Sequence, residues 1–479
     1  MFKLIALAGA LFAADPVAID ADAAQADLAL AREALERIHP GYGRYGNTAR
    51  LDAMWEAAAE RASQGATPQS LYLDISLILA EIRCDHTKAE LPAALEEARN
   101  EQPVYLPFRF IILDGRMIVE HAGATPLQRG EEILSLDGDA ASDRLAAILP
   151  FIPVDGYTDH VKSLEIARSS EFMGSGFDQF DPLLNPDDDQ IIVEVRGLDG
   201  GVRTETLDRL TYPAFLEIGS DGRRFRNFSD PDMIEMDYPA PGVARLSVNT
   251  FVNYRTPVDP AERYAPYFDQ LAADGAHTLV LDLRRNGGGS TDAQQGLLAQ
   301  LISRPAMPAA EVLSRSYDYD GLREHLNTWN AAALNPDPGW FTARPDGFFA
   351  LDGAISGAGA VVEPADNAFQ GRIVVLTGPQ NSSGAASIIG ALREEGRAVL
   401  IGEPTGGSQV GPTAGQIFFL ELPGSEIIVR VPVLWTIQNV SDARDGYGFQ
   451  PDIAAPVTYE AWMAGRDPAL EAAIAWAAR

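Results

Sequence analysis

The 479-residue chain sets 37 Lys and Arg against 68 Asp and Glu, a formal net charge of −31, which excludes a nucleic-acid module because a polyanion would be repelled. A hydrophobic content of 46% with 22% charged residues supports a full core and excludes an acidic disordered tail. At roughly 100–200 residues per domain the length predicts about three units, and a single cysteine, Cys84, permits no intrachain disulfide.

Met1-Phe2-Lys3 followed by the apolar run Leu4 to Ala14 reads as a signal peptide over 1–14, so a periplasmic or secreted protein is expected. The run is too short for a spanning helix, which needs roughly 20 residues, and no later stretch is long and apolar enough. No membrane segment is expected after cleavage.

A helical domain is expected over 22–100. Apolar residues recur at helical spacing over 25–38, stopped by His39-Pro40-Gly41, then over 50–63 and 69–83, where Thr67 can cap and Pro68 suits a first turn. The last helix runs into Arg83-Cys84-Asp85-His86-Thr87-Lys88.

Short β-rich runs follow over 104–213: Leu106 to Leu113, Met117 to Glu120, Glu131 to Leu136, Gln190 to Arg196 and Val202 to Leu207, separated by turns such as Asp114-Gly115. The segment Gly130-Glu131-Glu132-Ile133-Leu134-Ser135-Leu136-Asp137-Gly138 resembles a PDZ strand that precedes a carboxylate-binding helix, so a PDZ-like domain is expected. Residues 150–189 do not fit a minimal one and read as an insertion or irregular loop.

From about 220 to 479 strands and helices alternate: strands at Val243 to Val248, Leu279 to Leu283, Arg372 to Leu376 and Ala398 to Ile401, helices at 291–303 and 384–395. That alternation predicts an α/β core with parallel strands. The stretch 304–370, rich in Pro, Gly and aromatics, breaks the rhythm and reads as an insertion able to cover a cleft.

Three junctions of this region could carry chemistry. After the strand ending Leu281-Asp282-Leu283-Arg284 comes Asn286-Gly287-Gly288-Gly289, whose glycines would let backbone amides approach a ligand, or would simply make a tight turn. Asp282 and Arg284 read as a structural ion pair. After Leu376 comes Gln380-Asn381-Ser382-Ser383-Gly384, where a serine at a strand-to-helix junction can project its hydroxyl beside the helix's positive end, or merely cap it. The third is Gly402-Glu403-Pro404-Thr405-Gly406-Gly407-Ser408. Metal spacing such as H-E-x-x-H and phosphate-loop patterns are both missing, so neither a metal, a cofactor nor a nucleotide is expected.

Together the three junctions resemble the serine peptidase family of C-terminal processing (tail-specific) proteases and the tricorn core protease. The resemblance implies a ClpP/crotonase-like β/α spiral for the catalytic domain, hydrolysis of unfolded or flexible polypeptides through an acyl-enzyme, Ser383 as nucleophile, and Gly288 and Gly384 amides as the oxyanion hole. The tail-processing branch places a lysine where this chain has Ser408, and the last of its three lysines, after Lys3 and Lys88, is Lys162. The tricorn-like branch uses histidine, and Cys84-Asp85-His86-Thr87 matches its segment, so His86 is the implied base, with Lys88 as an alternative. Asp445 stands where that branch has the orienting glutamate, with Glu403 and Asp442 as fallbacks. A catalytically inactive peptide-binding scaffold of the same fold is the rival reading.

Overall fold

The computed structural model describes residues 18–168, 174–186, 189–219 and 227–479; the expected signal peptide lies outside them. Three helices open it: α1 (Ala21–Ile38), α2 (Thr48–Ala62) and α3 (Pro68–Ile82). Thr67 caps α3 as its sequence predicts, its Oγ1 accepting from Ser70 N at 3.1 Å while its own N–H donates to Ser70 Oγ at 3.0 Å. The helix stops at Arg83, which adopts the left-handed conformation at φ 61°, and that reversal turns the Cys84-Asp85-His86 segment away from the helix axis.

A six-stranded antiparallel sheet follows, in the order Arg109–Leu113, Arg116–His121, Glu132–Leu136, Gln190–Arg196, Val202–Asp208, with Asp139–Ala140 paired to Glu132–Leu136 and the helix Ala141–Ile148 behind it. The region expected to be irregular is partly helical, over Lys162–Ala167 and Gly176–Leu184. The second of these helices begins at a capping box, Ser175 and Asp178, a local signal that the acidic and Pro-rich surroundings obscured.

The C-terminal half is divided between two sheets. One has six strands, Ile453–Ala454, Ala398–Gly402, Arg372–Thr377, Thr278–Asp282, Val243–Val248 and Ile234–Ala240, parallel except for the last. The helices Thr291–Ala299 and Ser383–Glu394 pack together beside it. The other sheet has seven strands and draws Ala309–Ser314, Leu326–Asn327, Phe341–Ala343 and Phe349–Leu351 from the stretch expected to be an insertion. Ala309–Ser314 and Leu326–Asn327 pair with the long strands Ile428–Gln438 and Thr413–Glu421, and Phe349–Leu351 and Phe341–Ala343 add on beyond Ala309–Ser314, so short strands of 304–370 are bound into this sheet.

Ala89–Glu90, just past His86, also pairs with Ile428–Gln438. One buried cluster then runs continuously from Leu35, Trp55 and Ile78 of the helices through Phe418, Val429 and Val431 of this sheet and into Ile133 and Val193 of the antiparallel one. The helical unit is therefore anchored on the C-terminal half by shared apolar burial, and His86 is carried with it.

Candidate active site

In a parallel sheet with helical crossovers, the loops leaving the carboxyl ends of neighbouring strands lie side by side. Here Thr278–Asp282 and Arg372–Thr377 are adjacent, with Asp282 opposite Leu376, which brings the glycine loop and the serine loop together. Two buried asparagines fasten them. Asn381 Nδ2 donates to Leu283 O at 2.5 Å and to Asn286 O at 3.1 Å, while its backbone oxygen accepts from Gly406 N and Gly407 N at 2.9 and 2.8 Å. Asn286 Nδ2 donates to Val248 O at 3.0 Å. All three junctions singled out in the sequence thus meet at Asn381.

Ser383 opens its helix at φ 45°, a conformation uncommon for a residue with a Cβ and found where structure holds a side chain in a working position. Ser382 takes the N-cap place but makes no capping bond. Its hydroxyl instead donates to Asp85 Oδ2 at 2.5 Å, and through this contact the serine elbow meets the segment carrying His86.

The Gly384 amide sits in the first turn of the helix, where backbone N–H groups have no helical partner. Gly288 lies against it: a Cβ built there would fall 2.8 Å from Gly384 N and 2.9 Å from Ser383 Cβ, and its φ of 111° also demands glycine. Gly288's own N–H donates to Asn286 Oδ1 at 2.8 Å, so this amide is engaged within the loop. The next amide, Gly289 N, lies 3.6 Å from where a Cβ on Gly384 would stand.

His86 is paired through Nδ1 with Asp85 Oδ1. Burial alone would lower the imidazole's pKa, but the Asp85 charge and hydrogen bond outweigh it and raise His86 well above its ordinary value. Burial likewise works to raise Asp85, yet His86 and the Ser382 hydroxyl hold it well below the usual carboxylate range. Asp155 stands behind them. It accepts from Asp85 N at 3.1 Å through Oδ1, and burial together with the Asp85 charge pushes it up to about 8.

Asp445, expected to orient His86, is bound elsewhere: Arg44 Nε donates to its Oδ2 at 3.0 Å and Arg44 Nη2 pairs with its Oδ1. The carboxylate on His86 is Asp85, and the signal for it in the sequence was no more than adjacency. Asp155 had no signal, because it comes from the stretch 150–189. Of the fallbacks, Glu403 is raised by burial against the pull of Arg284, and Asp442 is exposed at φ 53°. Ser408, in the lysine position of the resemblance, is buried and its Oγ accepts from Gly446 N at 3.1 Å and Val410 N at 3.3 Å, a structural arrangement. Asp282 and Arg284 pair at 2.6 Å, with Asp467 joining at 2.7 Å.

His39 also lies behind the site. Gly41 N donates to its Nδ1 at 2.8 Å, so Nε2 carries the proton and donates to Thr87 Oγ1 at 2.6 Å. Full burial lowers its pKa to about 3, and it stays neutral while buttressing the residue after His86.

A serine on a strained strand-to-helix turn beside unpartnered amides is the arrangement of serine-type hydrolases. Residues 242–455 match the model of peptidase family S41, a match that supports a serine-type peptidase. Mature CPAF, 14% identical, superposes with a TM-score of 0.61 over 92% of this chain and 94% of its own, which shows the shared fold. The photosystem II D1 C-terminal processing protease is 16% identical with a TM-score of 0.40 over 91% of this chain and 94% of that chain. The tricorn protease is 15% identical with a TM-score of 0.37, over 94% of this chain and 36% of that chain. No curated protein sequence matches the chain.

Proposed function

We propose that the protein is an endopeptidase acting on unfolded or flexible polypeptides outside the cytoplasm, with Ser383 as nucleophile and His86 as general base. The observation that carries the reading is the tie from Ser382 Oγ to Asp85, which docks the histidine turn onto the elbow that strains Ser383. With Nδ1 against the Asp85 carboxylate, Nε2 of His86 is the nitrogen left to take the serine proton and return it to the leaving amine. Ser383 Oγ attacks the peptide carbonyl, the amine leaves as the tetrahedral intermediate collapses, and water attacks the resulting ester by the same route. Gly384 N and a glycine-loop amide, Gly289 rather than the engaged Gly288, hold the oxyanion. Asp85 takes the orienting role, and Asp445 pairs instead with the buried Arg44.

The antiparallel sheet with its helix Ala141–Ile148 is the PDZ-like unit in this reading, and it would bind a substrate terminus. The leader 1–14 would export the chain to the periplasm or beyond. The test is cleavage of an unfolded protein by purified wild type, with none by Ser383→Ala. Equal cleavage by both would remove Ser383 from the chemistry, and cleavage by neither would favour a peptide-binding scaffold.

A further inference from the structure

Behind the proposed base lies a donor set that the peptidase reaction does not need. Cys84, Asp85, His86 and Asp155 each present one potential ligand atom, and these atoms all lie within 4.8 Å of one another. Thiolate, imidazole and carboxylate are the ligand types Zn2+ takes, four at a time in a tetrahedral site. A second observation points to a ligand. Asp155 is 4% exposed, one of its oxygens is spent on Asp85 N, and Oδ2 is buried with no hydrogen-bond partner among the described residues. A buried carboxylate oxygen left in that state costs stability unless something satisfies it. Cys84, 2% exposed, makes a long contact at 3.5 Å to Thr413 O and lies within hydrogen-bonding reach of the His86 ring. Entry is open at His86 and Asp85, whose side chains are 23% and 27% exposed.

We propose that Cys84, Asp85, His86 and Asp155 form a binding site for a borderline-soft divalent cation of the Zn2+ class. Binding replaces the Cys84 S–H proton by a sulfur–metal bond and displaces the protons that His86 and Asp155 hold, all of them released to solvent, and gathers two carboxylates that otherwise crowd one imidazole. The ion is an off-switch, since a ligated His86 can neither hold its Asp85 contact nor accept the Ser383 proton. That consequence rests on the proposed function; the site itself does not.

Co2+ titrated into the metal-free full-length protein reports on both. The expected result is one equivalent bound, with an intense near-ultraviolet thiolate-to-cobalt band and visible bands of tetrahedral strength, all displaced by Zn2+. Cys84→Ser should lose the thiolate band. Asp155→Asn, which keeps the size of the side chain, should bind at least about tenfold more weakly, since even outer partners of metal ligands are worth about 10–100-fold. Ser383→Ala should bind as wild type does. No thiolate band in wild type, or an unchanged band in Cys84→Ser, overturns the site; if Cys84→Ser does not fold, unchanged affinity in Asp155→Asn does so. Zn2+ binding at full occupancy without inhibition would leave the site standing and remove His86 from the reaction.

Discussion

In the proposed mechanism Ser383 and His86 divide the chemistry between a strained backbone and a polarised ring, and each makes a measurable demand. Replacing Ser383 by Ala should abolish peptide hydrolysis, with kcat falling by roughly 10⁶-fold if it acts with His86 as a unit. The base must be neutral to work, and Asp85 raises its pKa, so kcat/KM should climb with pH through a limb above neutrality. Asp85→Asn should move that limb down toward the ordinary histidine value of about 6.5, as a pH–rate profile would show. Stability follows its own sign. His86 and Asp155 both hold protons in the folded state that the unfolded chain has given up, so stability falls as pH rises. For Asp155 the window runs from about 3.9 unfolded to about 8 folded. Urea midpoints measured from pH 5 to pH 8 should drop more steeply in wild type than in Asp155→Asn.

The serine loop and the glycine loop are held by side chains to which sequence reasoning gave no role. Asn381 bonds five backbone groups with its side chain and carbonyl. Asn381→Ala would take a donor from Leu283 O and Asn286 O and the acceptor from Gly378 N, and should cost about 1–3 kcal/mol in urea denaturation while slowing turnover. Gly288→Ala should be worse for catalysis than for folding, because the added methyl would press on Gly384 N; loss of one oxyanion donor typically costs about 10²–10³-fold in kcat. Much at this scale was legible. The strands at Val243–Val248 and Arg372–Thr377 and the helix caps at Thr67 are local signals, and apolar runs broken by glycine and proline carry them. The partner of His86 was not legible, because aspartate next to histidine reads as any surface pair until Ser382 is seen to approach from 297 residues away. The strands within 304–370 were not legible for a related reason: they are short, and Ala309–Ser314 and Leu326–Asn327 find their partners far along the chain, in Ile428–Gln438 and Thr413–Glu421.

Across the whole molecule the position of His86 depends on a core that no single unit owns. Leu35 of α1 is fully buried in the cluster that also holds Val429 and Val431. Leu35→Ala should cost about 2–5 kcal/mol, and a coincident loss of activity and helix signal on heating would show that the helices and the peptidase half unfold together. The charge of −31 acts at this scale too: if it steers substrates, kcat/KM for a cationic peptide should fall with added salt more than for a neutral one.

The central claim is that His86 activates Ser383, and covalent labelling addresses it directly. Wild type treated with a fluorophosphonate and mapped by peptide mass spectrometry should carry one adduct, on Ser383, formed far more slowly in His86→Ala. An adduct on Ser382, or equal labelling rates in wild type and His86→Ala, would contradict it.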